Sequence, residues 1–233
     1  CAVLDDATTK CWGANDSGQL GLGDLDSRGV NPGEMGDALP VVALGTGRRA
    51  SALAAGAAFT CALLDTGLPR CFGVNTDGQL GQGDTEARGD GPLEMGDSLS
   101  GILGDALPPV DLGTGVTATS LSAGYTHTCA VLTGASVKCW GPNWSGQLGL
   151  GDVETRGDDP GEMGDLLPTV DLGTDRTALE LTTGFAHTCV LLDDHSVKCW
   201  GENGSGQLGL GDLLSRGDQP GEMGDALPTV DLG

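Results

Sequence analysis

Cysteines recur in four pairs along this chain, and the two members of every pair are ten positions apart. The pairs are Cys1 with Cys11, Cys61 with Cys71, Cys129 with Cys139, and Cys189 with Cys199. Successive pairs begin 60, 68 and 60 residues apart. A regular period of this size indicates one supersecondary unit that is repeated and stacked. We therefore predict a single repeat array. Its repeats cover approximately residues 1–60, 61–128, 129–188 and 189–233, the last one truncated.

The segment between the two cysteines has the pattern of a β-hairpin. In the third repeat it reads CAVLTGASVKCWG, where two β-leaning runs flank a small polar turn. The register that places Cys129 opposite Cys139 also places Val131 opposite Val137. Facing residues of antiparallel strands lie about 4.5–5.5 Å apart at Cβ, which a disulfide can span. The pattern thus predicts one disulfide within each repeat.

The cysteine spacing also bears on metal binding and on the cellular compartment. Zinc sites usually pair cysteines two to four residues apart and recruit a second pair nearby, so they are the weaker interpretation. Four equally spaced couples favour disulfides and an oxidising, extracellular or cell-surface setting. Cys1 aligns with internal cysteines, which favours a repeat residue over a lipid-modified first residue. Because the sequence begins without methionine, we expect that residues preceded it.

Charge and hydropathy exclude two classes of partner. The chain has 11 basic and 33 acidic residues and a net charge of −22, which repels nucleic-acid phosphates and anionic lipids. No apolar run approaches the roughly 18 residues of a membrane-spanning helix. We therefore expect protein partners, including a second copy of the chain, and neither nucleic acid nor membrane insertion.

Beyond the hairpin, each repeat contains a glycine-rich turn, a long acidic loop and two further predicted strands. In the third repeat these segments read GPNWSGQLGLGD, VETRGDDPGEMGD, LPTVDLG and TALELTTG. Side chains are expected to alternate between the two sides of the last strand over residues 178–183. Four strands in about sixty residues correspond to one blade of an all-β propeller.

These segments resemble the regulator of chromosome condensation repeat. The matching strings are GYTHTCAVL, GFAHTCVLL, CWGANDSGQLGLGD, CWGPNWSGQLGLGD and CWGENGSGQLGLGD. Phe72 replaces the blade tryptophan, Phe59 replaces the histidine, and the second repeat has eight extra residues around Ser98 to Asp105. The paired cysteines and the GEMGD loops resemble a secreted bacterial branch of the family.

The resemblance implies a β-propeller of four-stranded blades, typically seven to a ring. About four repeats are present here, so an incomplete ring, or one completed by another chain, is expected. Terminal blades would expose unpaired strand edges, which favours self-association.

The acidic loops are candidate Ca²⁺ sites, because carboxylates repeat at fixed positions in a glycine-rich segment. The candidate ligands are Asp24, Glu34, Asp37, Asp84, Glu94, Asp97, Asp152, Glu162, Asp165, Asp212, Glu222 and Asp225. Each loop also holds one arginine, and pairing with it or capping of backbone amides is the alternative. No other cofactor is predicted.

No arrangement of residues predicts catalysis. His127 and His187 occupy equivalent positions, but Phe59 fills the same place before Cys61, so a structural role is favoured. His195 falls in a hairpin turn. The sequence contains no zinc-protease helix, phosphate loop or serine nucleophile motif.

Two surface motifs have structural explanations as well. Arg-Gly-Asp occurs at 88–90, 156–158 and 216–218, but its arginine and glycine belong to the repeat. N-x-S sequons begin at Asn15, Asn143 and Asn203, where the repeat places a turn asparagine.

We therefore predict a non-catalytic extracellular propeller for protein binding or scaffolding, capable of self-assembly. The alternatives are a secreted enzyme inhibitor and a structural subunit of an extracellular filament. An inhibitor needs aromatic and polar residues clustered on one face. The repeats differ mainly at Tyr125, Trp144, Phe185 and the insertion.

Overall fold

The computed structural model describes residues 1–95 and 106–233. The candidate ligand Asp97 and the insertion at 98–105 lie outside these ranges. The described residues form eleven strands: β1 Ala2–Val3, β2 Thr9–Lys10, β3 Ala50–Ala55, β4 Phe59–Leu64, β5 Pro69–Gly73, β6 Ala118–Ala123, β7 Thr128–Leu132, β8 Val137–Trp140, β9 Ala178–Thr183, β10 His187–Leu192 and β11 Val197–Gly201. Three 3₁₀ turns occur at Gly36–Ala38, Gly164–Leu166 and Gly224–Ala226. None of the described helices could cross a bilayer.

Each cysteine hairpin belongs to one antiparallel sheet, and in the three-stranded sheets the first strand comes from the end of the preceding repeat. The sheets have the orders β1-β2, β3-β4-β5, β6-β7-β8 and β9-β10-β11. The first strands of neighbouring three-stranded sheets, β3, β6 and β9, lie beside one another. The sheets are therefore arranged like blades, with these three strands innermost.

The hairpin register is confirmed by the structure. In β7 and β8 the two cysteines of the third repeat face each other, and Val131 faces Val137. All four disulfides form between the predicted partners, with Cα–Cα distances of 4.0, 4.0, 4.1 and 4.1 Å. In chain order they join Cys1 to Cys11, Cys61 to Cys71, Cys129 to Cys139, and Cys189 to Cys199. One covalent link thus closes the hairpin of every repeat.

The second cysteine of each disulfide is buried, whereas the first cysteine is not buried in every pair. Cys11, Cys71, Cys139 and Cys199 are all at most 4% exposed. Cys189 is half-buried. Cys1, at the start of the chain, is exposed. The second cysteine of each pair is therefore a core residue as well as a covalent link.

The segment LPTVDLG, which was predicted to be a strand, is extended but forms no ladder. Val170 N donates to Val137 O at 2.8 Å, and Val230 N donates to Val197 O at the same distance. Pro168, two positions before Val170, has no N–H to donate, which interrupts further pairing. Each blade therefore consists of three strands and one attached extended segment, rather than four full strands.

The predicted alternation over residues 178–183 is interrupted by a β-bulge. Ala178 faces Leu192, whereas Glu180 already faces Leu191, so Leu179 is an extra residue. Its side chain is 49% exposed. The strands β3 and β6 show the same shift. A bulge reverses the facing of all later side chains, which the simple alternation did not anticipate.

The core lies between the blades. Each of the three hydrophobic clusters combines buried residues from adjacent repeats, for example Leu80 with Trp140 and Leu148 with Trp200. The indole Nε1 of Trp200 donates to Gln147 O at 3.0 Å, across the boundary between repeats. Adjacent repeats consequently stabilise each other through apolar contact and through buried hydrogen bonds.

A close backbone contact explains why the turn GQLG begins with glycine. Gly146 has φ +75°, and a Cβ there would lie 2.4 Å from Asp218 N of the next repeat. Nearby, Gly151 N donates to Gly217 O at 2.9 Å. Gly18 and Gly78 make the same contact with the following repeats. Only a residue without a side chain permits this approach.

Candidate functional site

His127 is a structural residue of the blade interface. Its side chain is completely buried, and Nε2 lies 2.9 Å from Thr188 Oγ1 of the next repeat. Desolvation lowers the pKa of His127 to about 3, and the charge of His187 acts in the same direction. The ring is therefore neutral near pH 7. His187 is half-buried, and burial lowers its pKa while Glu202 acts against that effect. His195 is exposed in a hairpin turn.

Burial of neutral His127 makes folding sensitive to acid. The pKa is about 3 in the folded state and about 6.5 in the unfolded state, so acid protonates the unfolded chain first. This contribution to stability is complete above about pH 6.5 and is lost as the pH falls toward 3. When the pH is lowered from 7 to 5, the free energy of unfolding should fall in both proteins. We expect this fall to be about 2 kcal/mol smaller in His127→Phe than in the wild type.

Urea unfolding of both proteins at the two pH values measures this difference. Phenylalanine occupies the equivalent position 59, so the variant has a precedent within the chain. Parallel losses in the two proteins would contradict a buried neutral His127.

The acidic loops are held by internal contacts. In each loop, Nη2 of one arginine lies 2.7 Å from Oδ2 of the aspartate four positions earlier. The pairs are Arg28–Asp24, Arg88–Asp84, Arg156–Asp152 and Arg216–Asp212. The loop glutamates accept backbone N–H bonds, as Glu94 does from Gly89 at 3.0 Å and Gly91 at 2.9 Å. Glu34, Glu162 and Glu222 accept equivalent bonds.

The 3₁₀-turn aspartates connect neighbouring repeats. Asp165 accepts from Thr114 N at 2.8 Å and from Thr114 Oγ1 at 2.7 Å. The hydroxyl bond is the main cause that lowers the pKa of Asp165. Asp225 is bonded in the same way to Thr174. Asp37 lies at the equivalent position of the first repeat, in the turn Gly36–Ala38.

Calcium binding remains a prediction of the sequence alone. Over residues 1–95 and 106–233, no three Asp, Glu, His or Cys side chains are grouped so as to hold a metal ion. Arginine pairing, amide capping and threonine hydroxyl bonds already engage the described loop carboxylates other than Asp37. We therefore expect identical melting curves in millimolar Ca²⁺ and in chelator. A rise in melting temperature with Ca²⁺ would instead support the calcium hypothesis.

The two surface motifs are part of the scaffold. The arginine of each Arg-Gly-Asp sequence is bonded within its own loop, and the glycine packs against the preceding turn. Asn15, Asn143 and Asn203 are fully buried, and each accepts a backbone N–H bond within its turn. An attached glycan would require these asparagines to leave the turn.

One pair of aromatic side chains is exposed in the loops that join the first and second strands of two neighbouring sheets. Tyr125 and Phe185 stack with ring centroids 4.5 Å apart and an interplanar angle of 30°. The two side chains are 51% and 57% exposed. They come from equivalent loops, between β6 and β7 and between β9 and β10. Tyr125 N donates to Gly184 O at 3.1 Å, which fixes the two loops side by side.

A third exposed aromatic residue lies at the same edge of the blades. The register pairs the end of β6 with the beginning of β7, and the beginning of β7 with the end of β8. The turn after β8, which contains Trp144, therefore lies on the same side as the Tyr125 loop. Trp144 is 51% exposed. We call Tyr125, Phe185 and Trp144 the aromatic face.

The sequence alone marks these three residues as points where the repeats differ. The position of Tyr125 and Phe185 holds Ala57 before Cys61, and that of Trp144 holds Asp16, Thr76 or Gly204. The structure brings Tyr125 and Phe185 into contact, although they are sixty positions apart. Glu202 follows β11, and its position holds Ala14, Val74 or Pro142 in the other repeats, so the sequence alone does not mark it as a site residue.

Profiles of the Regulator of chromosome condensation (RCC1) repeat match residues 11–63, 118–147 and 180–207. The chain contains RCC1 repeats. The RCC1-repeat chain is 28% identical to the ultraviolet-B receptor UVR8 of Arabidopsis thaliana over 216 residues, which is 92% of this chain and 42% of that protein. It is 34% identical over 96 residues to the probable E3 ubiquitin-protein ligase HERC4 of Homo sapiens, covering 41% of this chain and 8% of that protein.

Solved structures support the propeller fold of the RCC1-repeat chain. Human WBSCR16 matches with a TM-score of 0.58 and 21% identity, over 89% of this chain and 50% of that one. Yeast RCC1 bound to Kap60 matches with a TM-score of 0.57 and 19% identity, over 94% and 44%. The chain thus spans less than half the length of the curated relatives it matches. The resemblance to a secreted bacterial branch stays a prediction.

Proposed function

We propose that this RCC1-repeat chain is a non-catalytic protein-binding module and that the aromatic face is its binding surface. The exposed stacked pair of Tyr125 and Phe185 is the observation that carries the proposal. Exposed apolar patches mark interaction sites, and aromatic side chains are enriched at the centres of protein interfaces. Half of the chain's eight aromatic residues are buried between or within blades, so those on this face do not serve the core.

The disulfides and the repeats support an extracellular compartment and a single functional unit. Four disulfides are consistent with an oxidising extracellular environment. Because every hydrophobic cluster joins adjacent repeats, residues 1–233 act as one array rather than as separable domains. A related propeller, yeast RCC1, has been solved in complex with the protein Kap60. That precedent supports protein binding by this type of fold.

Site-specific photo-crosslinking tests the proposal. A photoreactive residue at Ala57, which is exposed beside the aromatic pair, leaves Tyr125 and Phe185 in place. We expect it to capture an extracellular protein from the source cells. The same residue at Thr133, exposed in the β7–β8 turn at the opposite edge, is the matched control.

The double variant Tyr125→Ala/Phe185→Ala separates a binding surface from a chance encounter. In this background the Ala57 adduct should disappear, because the contact area is removed while the fold is kept. Equal adducts at Ala57 and Thr133, or an adduct unaffected by the double variant, would contradict the proposal. If the captured protein is an enzyme, its inhibition by the purified chain distinguishes an inhibitor from a scaffold.

A second candidate function is self-assembly into a ring or a filament. Trp12 is 45% exposed, whereas its counterparts Trp140 and Trp200 are buried against the preceding repeat. In the last repeat, Leu191 and Val197 are half-buried, although the corresponding residues of the third repeat are buried. In the interior of the array, surfaces of these two kinds pack against each other where neighbouring repeats meet. We therefore propose that the end repeat of a second copy packs against them.

Light scattering of the purified chain tests self-assembly. We expect a mass above the 23.4 kDa of one chain. Trp12→Glu should restore the single-chain mass, because a charge would be buried in the contact. The exposed Trp144→Glu is the control and should leave the mass unchanged. A monodisperse particle of 23.4 kDa for the wild type would contradict this candidate.

A further inference from the structure

The basic side chains of this chain are almost all used internally. Of the 11 Lys and Arg residues, nine make ion pairs or hydrogen bonds within the described chain. These nine are Lys10, Arg28, Arg70, Arg88, Lys138, Arg156, Arg176, Lys198 and Arg216. The other two, Arg48 and Arg49, directly precede β3 and lie at the edge opposite the aromatic face. The charge available on the aromatic side is therefore acidic.

One acidic residue, Glu202, follows the strand end beside the loop of Phe185. Glu202 N donates to Ala186 O at 2.8 Å, which places Glu202 beside the loop that carries Phe185. Its carboxylate is near enough to the His187 ring to act on the pKa of that histidine. Glu202 is only partly buried, so the carboxylate remains accessible. Glutamate occurs at this position in the last repeat alone, where Ala14, Val74 and Pro142 stand in the others.

The surroundings of the rings leave room for an incoming chain. Ala55, Gly56 and Ala57 line the shallow depression beside the pair, together with Gly124 and Gly184. These residues have small side chains or none, so a partner backbone can approach closely. The rings present π-electron density, which attracts cations.

We infer that an arginine side chain of the protein partner stacks on the Tyr125–Phe185 pair and forms an ion pair with Glu202. This inference rests on the proposed function and names the chemistry of its partner. A guanidinium is planar, so it can lie flat on an aromatic ring while its edge donates to a carboxylate. A lysine ammonium lacks this geometry and should bind less tightly. The partner segment is therefore basic and contains arginine.

Titration with short peptides tests the inference without knowledge of the natural partner. The probes are a labelled Gly/Ser peptide carrying arginines and matched peptides in which lysine or neutral citrulline replaces every arginine. Fluorescence anisotropy should rank arginine above lysine, and lysine above citrulline. Tyr125→Ala and Phe185→Ala should each lower the affinity for the arginine peptide by about three-fold or more, which is the range of an exposed cation–π contact.

A charge-matched pair of variants separates a specific ion pair from general attraction to an acidic protein. Glu202→Gln and Asp65→Asn remove the same charge, but Asp65 is exposed at the opposite edge, in the β4–β5 turn. We expect Glu202→Gln to weaken arginine binding and Asp65→Asn to leave it nearly unchanged. Equal weakening by the two variants, or equal affinity for arginine and lysine peptides, would overturn the inference.

The peptide and cross-linking experiments fail independently. If Tyr125→Ala/Phe185→Ala abolishes the Ala57 adduct but leaves arginine-peptide affinity unchanged, the aromatic face binds protein by other chemistry. The proposed function then stands and the arginine inference falls.

Discussion

Gly146→Ala is expected to lower the free energy of unfolding by about 3–5 kcal/mol, against about 1–2 kcal/mol for Gly206→Ala. The two glycines occupy the same turn position in consecutive repeats, with φ +75° and +78°. Alanine is equally strained at both. At Gly146, however, the new Cβ would lie 2.4 Å from Asp218 N, whereas nothing lies within 4 Å of it at Gly206. The difference between the variants isolates the contact between repeats.

Urea unfolding followed by circular dichroism measures both values under the same conditions. The comparison removes the cost of the left-handed backbone, because that cost is common to the two sites. A backbone amide cannot move aside as a flexible side chain can, so relaxation at Gly146 requires the repeats to separate. Equal destabilisation of the two variants would show that the turn does not pack against the next repeat.

Removal of the third disulfide should cost about 3 kcal/mol or more in the Cys129→Ala/Cys139→Ala variant. A short closed loop contributes roughly this amount by restricting the unfolded chain. Both cysteines are completely buried, so the lost sulfur contacts add to the entropic term. The bond between Cys1 and Cys11 closes a loop of the same length, but Cys1 is exposed. Replacing both of those cysteines by alanine should therefore cost less than replacing the buried pair.

Equilibrium unfolding of the two double variants tests this order. Mass spectrometry of non-reduced peptides from the wild type should first identify four links, each within one repeat. A dominant link between repeats would contradict the hairpin register. A smaller loss from the buried pair than from the exposed pair would contradict the assignment of Cys129 and Cys139 to the core.

The local structure of each repeat could be predicted well, because local structure here follows from periodicity. The ten-residue cysteine spacing and the central polar turn were sufficient to place Cys129 opposite Cys139. The substitution of Phe59 at the histidine position also identified His127 as structural, and its burial agrees. Such inferences need only the pairing rules of one hairpin.

Features that depend on several segments were harder to predict. The bulge at Leu179 shifts the side-chain pattern, and no glycine in the strand indicates its position. The segment containing Pro168 is extended, yet one missing N–H prevents a full strand. The Tyr125–Phe185 contact arises only when two blades stand side by side. The variation between repeats marked these two residues, but the sequence could not show that their rings are in contact.

The aromatic pair forms only because β6 and β9 are neighbouring strands. Ser122 Oγ lies 2.8 Å from Thr183 Oγ1 across this boundary. We expect Ser122→Cys/Thr183→Cys to form a new disulfide under oxidising conditions, detected by mass spectrometry of non-reduced peptides. Ser122→Cys/Thr182→Cys, whose second side chain points to the other side of the strand, should not. Free thiols in the first variant, or equal linkage in both, would contradict the arrangement of the blades.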